Sequence, residues 1–323
     1  MMQTTIDDCK KQLSILADMG HDVQTEYRCP FCLRYIQDPS KISREDAPQE
    51  ALGGNKIAYT CKDCNNRLGW LIDCHLINAI IVDEESILPE NRESKIELLS
   101  GTYKGKTLRA ILKDEGDKLD ICYLPDKNDP KVLNAEWEAL EVGDIDKLYF
   151  SFSPITKTIM NGCREAALLK NAYVILFSYF GYTFLLDSFY DRIRTQIEKP
   201  LEEIIPDGLV SREESLGDIS DGVYVSDKMP LRGFLIAFTL KRRWDHHYCV
   251  FIPAISNGYE AALNKLRDLK ANDVIKVGLV ERSAAYWASK DVIRAVKDWS
   301  LSKDKSWVEV EALIEFHKQQ IDN

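Results

Sequence analysis

The chain has 323 residues, 45% of them hydrophobic and 29% charged, with a formal net charge of -10. That profile fits a globular protein long enough for two domains or a little more, and it excludes a disordered or low-complexity chain. The charge is net negative on both sides of Val82, which argues against a protein that grips duplex DNA by bulk electrostatics, because nonspecific binding comes from Lys and Arg neutralising phosphates.

The first residues carry no basic stretch followed by an apolar core, so no secretory signal is expected and the expected compartment is the cytoplasm. Ile6, Cys9, Leu13, Leu16 and Ala17 recur at helical spacing, with Asp7 and Asp8 in the first turn and Gly20 beyond the end. This predicts a capped amphipathic helix over residues 5–19.

Two cysteine doublets follow, Cys29-Pro30-Phe31-Cys32 and Cys61-Lys62-Asp63-Cys64. Such paired knuckles place four thiolates where one Zn²⁺ takes a tetrahedral shell, as structural zinc sites do. Between them lie the acidic Ser43-Arg44-Glu45-Asp46 segment, a Leu52-Gly53-Gly54 turn and an alternating stretch through Ile57 and Tyr59. A strand end, a tight turn, a strand and a helix opening at the second knuckle are predicted, a ββα layout.

Over residues 25–80 this pattern resembles the HNH, or ββα-metal, endonuclease family, in the branch built on a four-cysteine zinc ribbon. The resemblance implies a treble-clef-like fold and metal-dependent hydrolysis of nucleic-acid phosphodiester bonds. It makes Glu45 and Asn65 ligands of a catalytic divalent ion, and their oxygen donors suit Mg²⁺ or Mn²⁺. The family's histidine base falls at Asp46, so Asp46 is the third candidate catalytic residue, although a carboxylate is a poorer base than imidazole at neutral pH. His75 and His21 are substitutes for that base. The branch also places an acidic residue at the distance of Asp73, which shares a helical face with Asn66 if a helix runs over 65–81. Asp73 is therefore a further candidate ligand. The implied partner is nucleic acid, DNA favoured over RNA, with a homodimer or a protein partner for duplex cutting.

Beyond Val82 the acidic, proline-punctuated 83–95 stretch predicts a linker. Domains are therefore expected at 1–82 and 96–323. Period-two segments predict strands near 95–99, 107–112, 119–124, 147–152, 223–225, 233–240, 248–253 and 274–280, and helical patterns cover 163–197, 259–269 and 307–320. The whole is an α+β protein, a small zinc module followed by a larger domain with mainly antiparallel strands around a central helical block. The apolar run 172–186 is too short to span a bilayer and predicts a buried helix or helix pair broken near Gly181. No membrane association is expected. Lys104 and Lys106, and Arg242 and Arg243 beside Trp244, are candidate nucleic-acid contacts. His246 and His247 lack a matching ligand cluster and read as strand residues. The five remaining cysteines show no pairing pattern, as expected in a reducing compartment. Two functions follow: a metal-dependent HNH-type endonuclease, in a setting such as bacterial defence or mobile-element biology, or a catalytically inactive zinc-ribbon binding or sensor protein.

Overall fold

The computed structural model describes residues 5–86, 93–100, 102–103, 106–114, 119–142, 153–154, 159–205, 210–212, 219–269 and 275–321. It is an α+β protein with antiparallel sheets, and its contacts divide the chain into two units, Met1–Ile77 with Ile159–Asn323, and Asn78–Thr158.

Helix α1 (Ile6–Asp18) starts in a capping box in which the Asp8 N–H donates to Thr5 Oγ1 and the Thr5 N–H donates to the Asp8 carboxylate. Cys9, Leu13 and Leu16 are buried along one face. The buried Gln12 donates to the carbonyls of Phe180 and Tyr286 at 2.9 and 2.8 Å and accepts from the Tyr182 N–H at 2.7 Å. One amide thereby ties three distant segments together. The metal module follows as strand β1 (Ile42–Asp46), antiparallel strand β2 (Lys56–Cys61) and helix α2 (Lys62–Leu68). A π-turn over Gly69–Asp73 then leads into α3 (Cys74–Ser86).

The smaller unit holds strands β3 (Glu93–Leu99), β4 (Thr107–Asp114) and β5 (Leu119–Tyr123), helix α4 (Pro130–Glu141) and the two-residue β6 (Ser153–Pro154), in sheet order β5-β4-β3-β6. Its core is small. Leu98 and Ala110 form one cluster, and Leu108 packs with Val132 and Leu133 of α4 in another.

The larger unit resumes with α5 (Asn161–Phe180), which is buried around nearly its whole circumference from Ala166 to Phe180. Gly181 breaks it at φ +59, where an added Cβ would lie 2.0 Å from Gln12 Oε1. The short α6 (Tyr182–Leu185) and α7 (Asp191–Glu198) follow. Strands β7 (Val210–Arg212), β8 (Gly222–Ser226), β9 (Gly233–Lys241) and β10 (Asp245–Pro253) come next, then α8 (Tyr259–Arg267), β11 (Gly278–Leu279), α9 (Ala285–Ala288), α10 (Lys290–Leu301) and α11 (Trp307–Ile321). The sheet order is β11-β8-β9-β10-β7. Phe180, Phe234, Trp299 and Trp307 meet edge to face or tilted at centroid distances of 4.9–5.9 Å, joining α5 to the sheet and the last helices. Among the described residues no helix is long and apolar enough to cross a membrane.

The division differs from the expected one. Residues 159–323 belong with the metal module, because α5 and α1 fill one core with it, and α3 continues to Ser86 through four residues of the expected linker. The expected 147–152 strand lies outside the described residues, and the 274–280 strand is seen only as Gly278–Leu279.

Candidate metal centre

The first knuckle is a backbone turn. The Leu33 N–H donates to the Cys29 carbonyl at 2.9 Å and the Cys29 N–H donates to the Arg34 carbonyl at 3.0 Å, which brings Cys29 and Cys32 onto one side. Leu33 takes the left-handed conformation, φ 55, that this turn demands. The second knuckle is the junction of β2 and α2, where the Cys61 sulfur caps the helix by accepting from the Cys64 N–H at 3.3 Å. Tyrosines secure the first knuckle from outside. Tyr173 donates to the Pro30 carbonyl at 2.8 Å and Tyr182 to that of Arg28.

The four sulfurs of Cys29, Cys32, Cys61 and Cys64 lie within 4.8 Å of one another, with Cys32 and Cys61 3.8 Å apart. A tetrahedral Zn²⁺ with bonds of about 2.3 Å has sulfur–sulfur edges of about 3.8 Å. The donor set, the spacing and the burial of three of the four thiols fit a structural zinc ion. Hydrogen bonding from Cys29 and Cys64, with the Arg34 guanidinium 3.3 Å away, pulls the Cys32 thiol far below its usual range.

A second polar cluster sits in the same module. Lys170, in the buried stretch of α5, places its Nζ 2.6 Å from Glu45 Oε1 and 2.6 Å from Asp73 Oδ2. Thr60 Oγ1 donates to the other Glu45 oxygen at 3.3 Å, and Gln49 Nε2 donates to Asp73 Oδ1 at 2.6 Å and to Asn171 Oδ1 at 3.2 Å. Glu45, Asp73 and Lys170 are 2%, 7% and 1% exposed, so solvent scarcely reaches them. Burial raises the Glu45 pKa against the pull of Lys170. For Lys170, burial disfavours the ammonium, but Glu45 and Asp73 outweigh it and the pKa is raised. Two carboxylates thus share one resident cation, and burial, with a smaller contribution from the Asp73 charge, raises Glu45.

The residues expected around a catalytic metal are therefore only partly brought together. Glu45 and Asp73 converge, but on an ammonium. Asn65 uses its amide nitrogen to join α2 to β1, donating to Ser43 Oγ at 2.6 Å and to the Arg44 carbonyl at 3.1 Å. Asp46 lies past a bulge in the β1–β2 register: burial and the Glu50 charge raise its pKa, Lys56, Lys170 and the Glu50 backbone N–H oppose that, and Oδ1 is buried without a hydrogen-bond partner. His21 accepts from Lys297 Nζ at 2.6 Å, with burial and that ammonium lowering its pKa. His75 Nδ1 accepts from the Met160 N–H. Neither imidazole is bonded to the Glu45 cluster in these contacts. Sequence reasoning missed Lys170, yet a signal was there: a lysine followed by Asn171 inside a run from Ala166 to Phe180 has to find a countercharge.

Of the expected nucleic-acid contacts, Lys104 lies outside the described residues, and Lys106 is exposed in the smaller unit. Arg242 and Arg243 are exposed at the β9–β10 turn, with the Arg243 guanidinium 5.8 Å from the Trp244 ring centroid. Comparison of the chain with protein-family models, curated proteins and solved structures finds no match.

Proposed function

We propose that the chain is a zinc-stapled binding or sensor protein whose ββα module is catalytically silent. The observation that carries this reading is the Lys170 ammonium, which occupies the carboxylate oxygens of Glu45 and Asp73. A catalytic divalent ion needs those oxygens and must also meet a phosphate from solvent. Here the oxygens are buried under α5 and already paired with that ammonium. Asn65, spent on Ser43 and Arg44, supports the same reading.

The second reading is an HNH-type endonuclease using Mg²⁺ or Mn²⁺ on DNA or RNA. It is favoured by the β1-β2-α2 order on four cysteines and by the convergence of Glu45 and Asp73 within reach of one cation. In that reading the metal must displace Lys170.

The deciding experiment incubates the zinc-loaded protein with single- and double-stranded DNA and RNA in Mg²⁺, Mn²⁺ or EDTA, beside Glu45→Ala and Asp46→Ala. The silent reading expects no metal-dependent cutting. Cutting by the wild type that Glu45→Ala abolishes would overturn it.

A further inference from the structure

The Leu52-Gly53-Gly54 turn of the metal module has a use that zinc binding does not explain. An added Cβ at Gly53, φ +77, would lie 2.7 Å from the Lys241 Cβ, and one at Gly54 would lie 1.6 Å from the Pro48 carbonyl oxygen. The turn is thin because it closes against the end of β9. Together with the middle of α5 and the strands β8 and β9, it lines an open cleft of about 360 Å³ in the larger unit. That volume lies in the range of small-molecule pockets, about 300–1,000 Å³.

The lining has the composition of such a site. Pro48, Ile57 and Ile175 supply apolar surface, and Asn55, Asp221, Thr239, Lys241 and Arg282 supply polar and charged groups beside it. Arg282 is held in place on two sides: its guanidinium lies 4.6 Å from the Tyr179 ring centroid and donates to Ser178 Oγ at 2.6 Å. A cation backed by an aromatic ring and a hydroxyl keeps its orientation, so little order is lost when an anion meets it. Lys241 brings a second positive charge to the cleft and is exposed. Asp221 is the carboxylate of the lining, and it is turned toward Thr239, whose Oγ1 donates to it at 2.6 Å.

We propose that this cleft binds a small organic acid with a flat apolar body, its carboxylate or phosphate held by Arg282 and Lys241 and its body lying against Tyr179 and Ile175. The proposal rests on the binding reading of the protein and names the chemistry of its ligand.

Calorimetric titration of the full zinc-loaded chain with salicylate, with 5′-AMP and with uncharged adenosine tests it. Saturable binding of at least one acid is expected, with adenosine about tenfold weaker than 5′-AMP if the phosphate source is the one preferred. Arg282→Gln should weaken the acid about tenfold, and Lys241→Glu should do so as well, with the fold of each variant checked by circular dichroism. Failure of both acids to bind the folded wild type, or binding that neither substitution changes, overturns the proposal. The nuclease assay reads the other question separately: metal-dependent cutting with intact acid binding overturns the silent reading and leaves the cleft standing.

Discussion

Two clusters of cation-binding groups lie within one small module, and they meet their charge in opposite ways. The cysteine cluster presents four soft donors to one another within 4.8 Å and suits an ion from outside. The Glu45–Asp73 cluster carries hard oxygens around an ion that the chain itself supplies, the Lys170 ammonium 2.6 Å from each. An external metal links folding to metal supply and is lost to chelators. On the silent reading, an internal ammonium gives the same convergence of ligands with no open coordination position, so it holds the fold but offers nothing to a substrate. The difference teaches that ligand residues gathered in one place do not define a metal site; what already occupies their lone pairs does.

Breaking the first cluster should have the largest effect. Cys32→Ser, or a strong chelator on the wild type, should remove the bound zinc and unfold the module, since structural zinc contributes about 10–16 kcal/mol of apparent binding energy. Metal analysis and circular dichroism would check this.

Breaking the second cluster comes next. Lys170→Met leaves two buried carboxylates without their countercharge and should cost about 3–5 kcal/mol in urea unfolding. Adding Glu45→Gln and Asp73→Asn to it should recover most of that loss; no recovery would mean that Lys170 acts through packing alone.

The same pair has a pH signature. The folded pKa of Lys170 lies above its ordinary 10.5 because Glu45 and Asp73 outweigh the burial that opposes its charge. Its contribution is therefore fully present below pH 10.5 and is lost as pH rises through the higher folded value. Urea midpoints measured from about pH 9 to 12 should fall in the wild type and fall less in Lys170→Met.

Smaller effects sharpen the contrast between ligand and strut. Asn65→Ala should cost about 1 kcal/mol, the loss of a hydrogen-bonded link between α2 and β1, and should leave metal content unchanged. At the knuckle, Leu33→Gly relieves a left-handed residue worth about 1–2 kcal/mol but loosens the unfolded chain by about 0.5–1 kcal/mol, so its melting point should stay close to that of the wild type.

The legibility of the two clusters in the sequence follows the same divide. Zinc ligands come as short local motifs, and Cys29, Cys32, Cys61 and Cys64 could be named from spacing alone. The β1-β2-α2 order could be read too, because Gly53-Gly54 and the alternation through Ile57 and Tyr59 are local signals. Lys170 lies 125 positions from Glu45, and no periodicity links residues that meet only through the packing of α5. The unit boundary failed for the same reason, since chain order suggested a module followed by a domain while α5 folds back into the module's core. Helix α10 was readable and missed: Ser289 caps it by accepting from the Val292 N–H, and Val292, Ile293, Val296 and Trp299 recur at helical spacing.

Whether the ammonium is the resident cation is tested most directly by a Mn²⁺ titration of the zinc-loaded protein followed by electron paramagnetic resonance, in the wild type, Glu45→Gln, Lys170→Ala and Lys170→Ala with Glu45→Gln. If the ammonium is the resident cation, the wild type shows no Mn²⁺ site sensitive to Glu45, and Lys170→Ala gains one that Glu45→Gln removes. A Glu45-dependent Mn²⁺ site in the wild type, with Lys170 intact, would contradict the account.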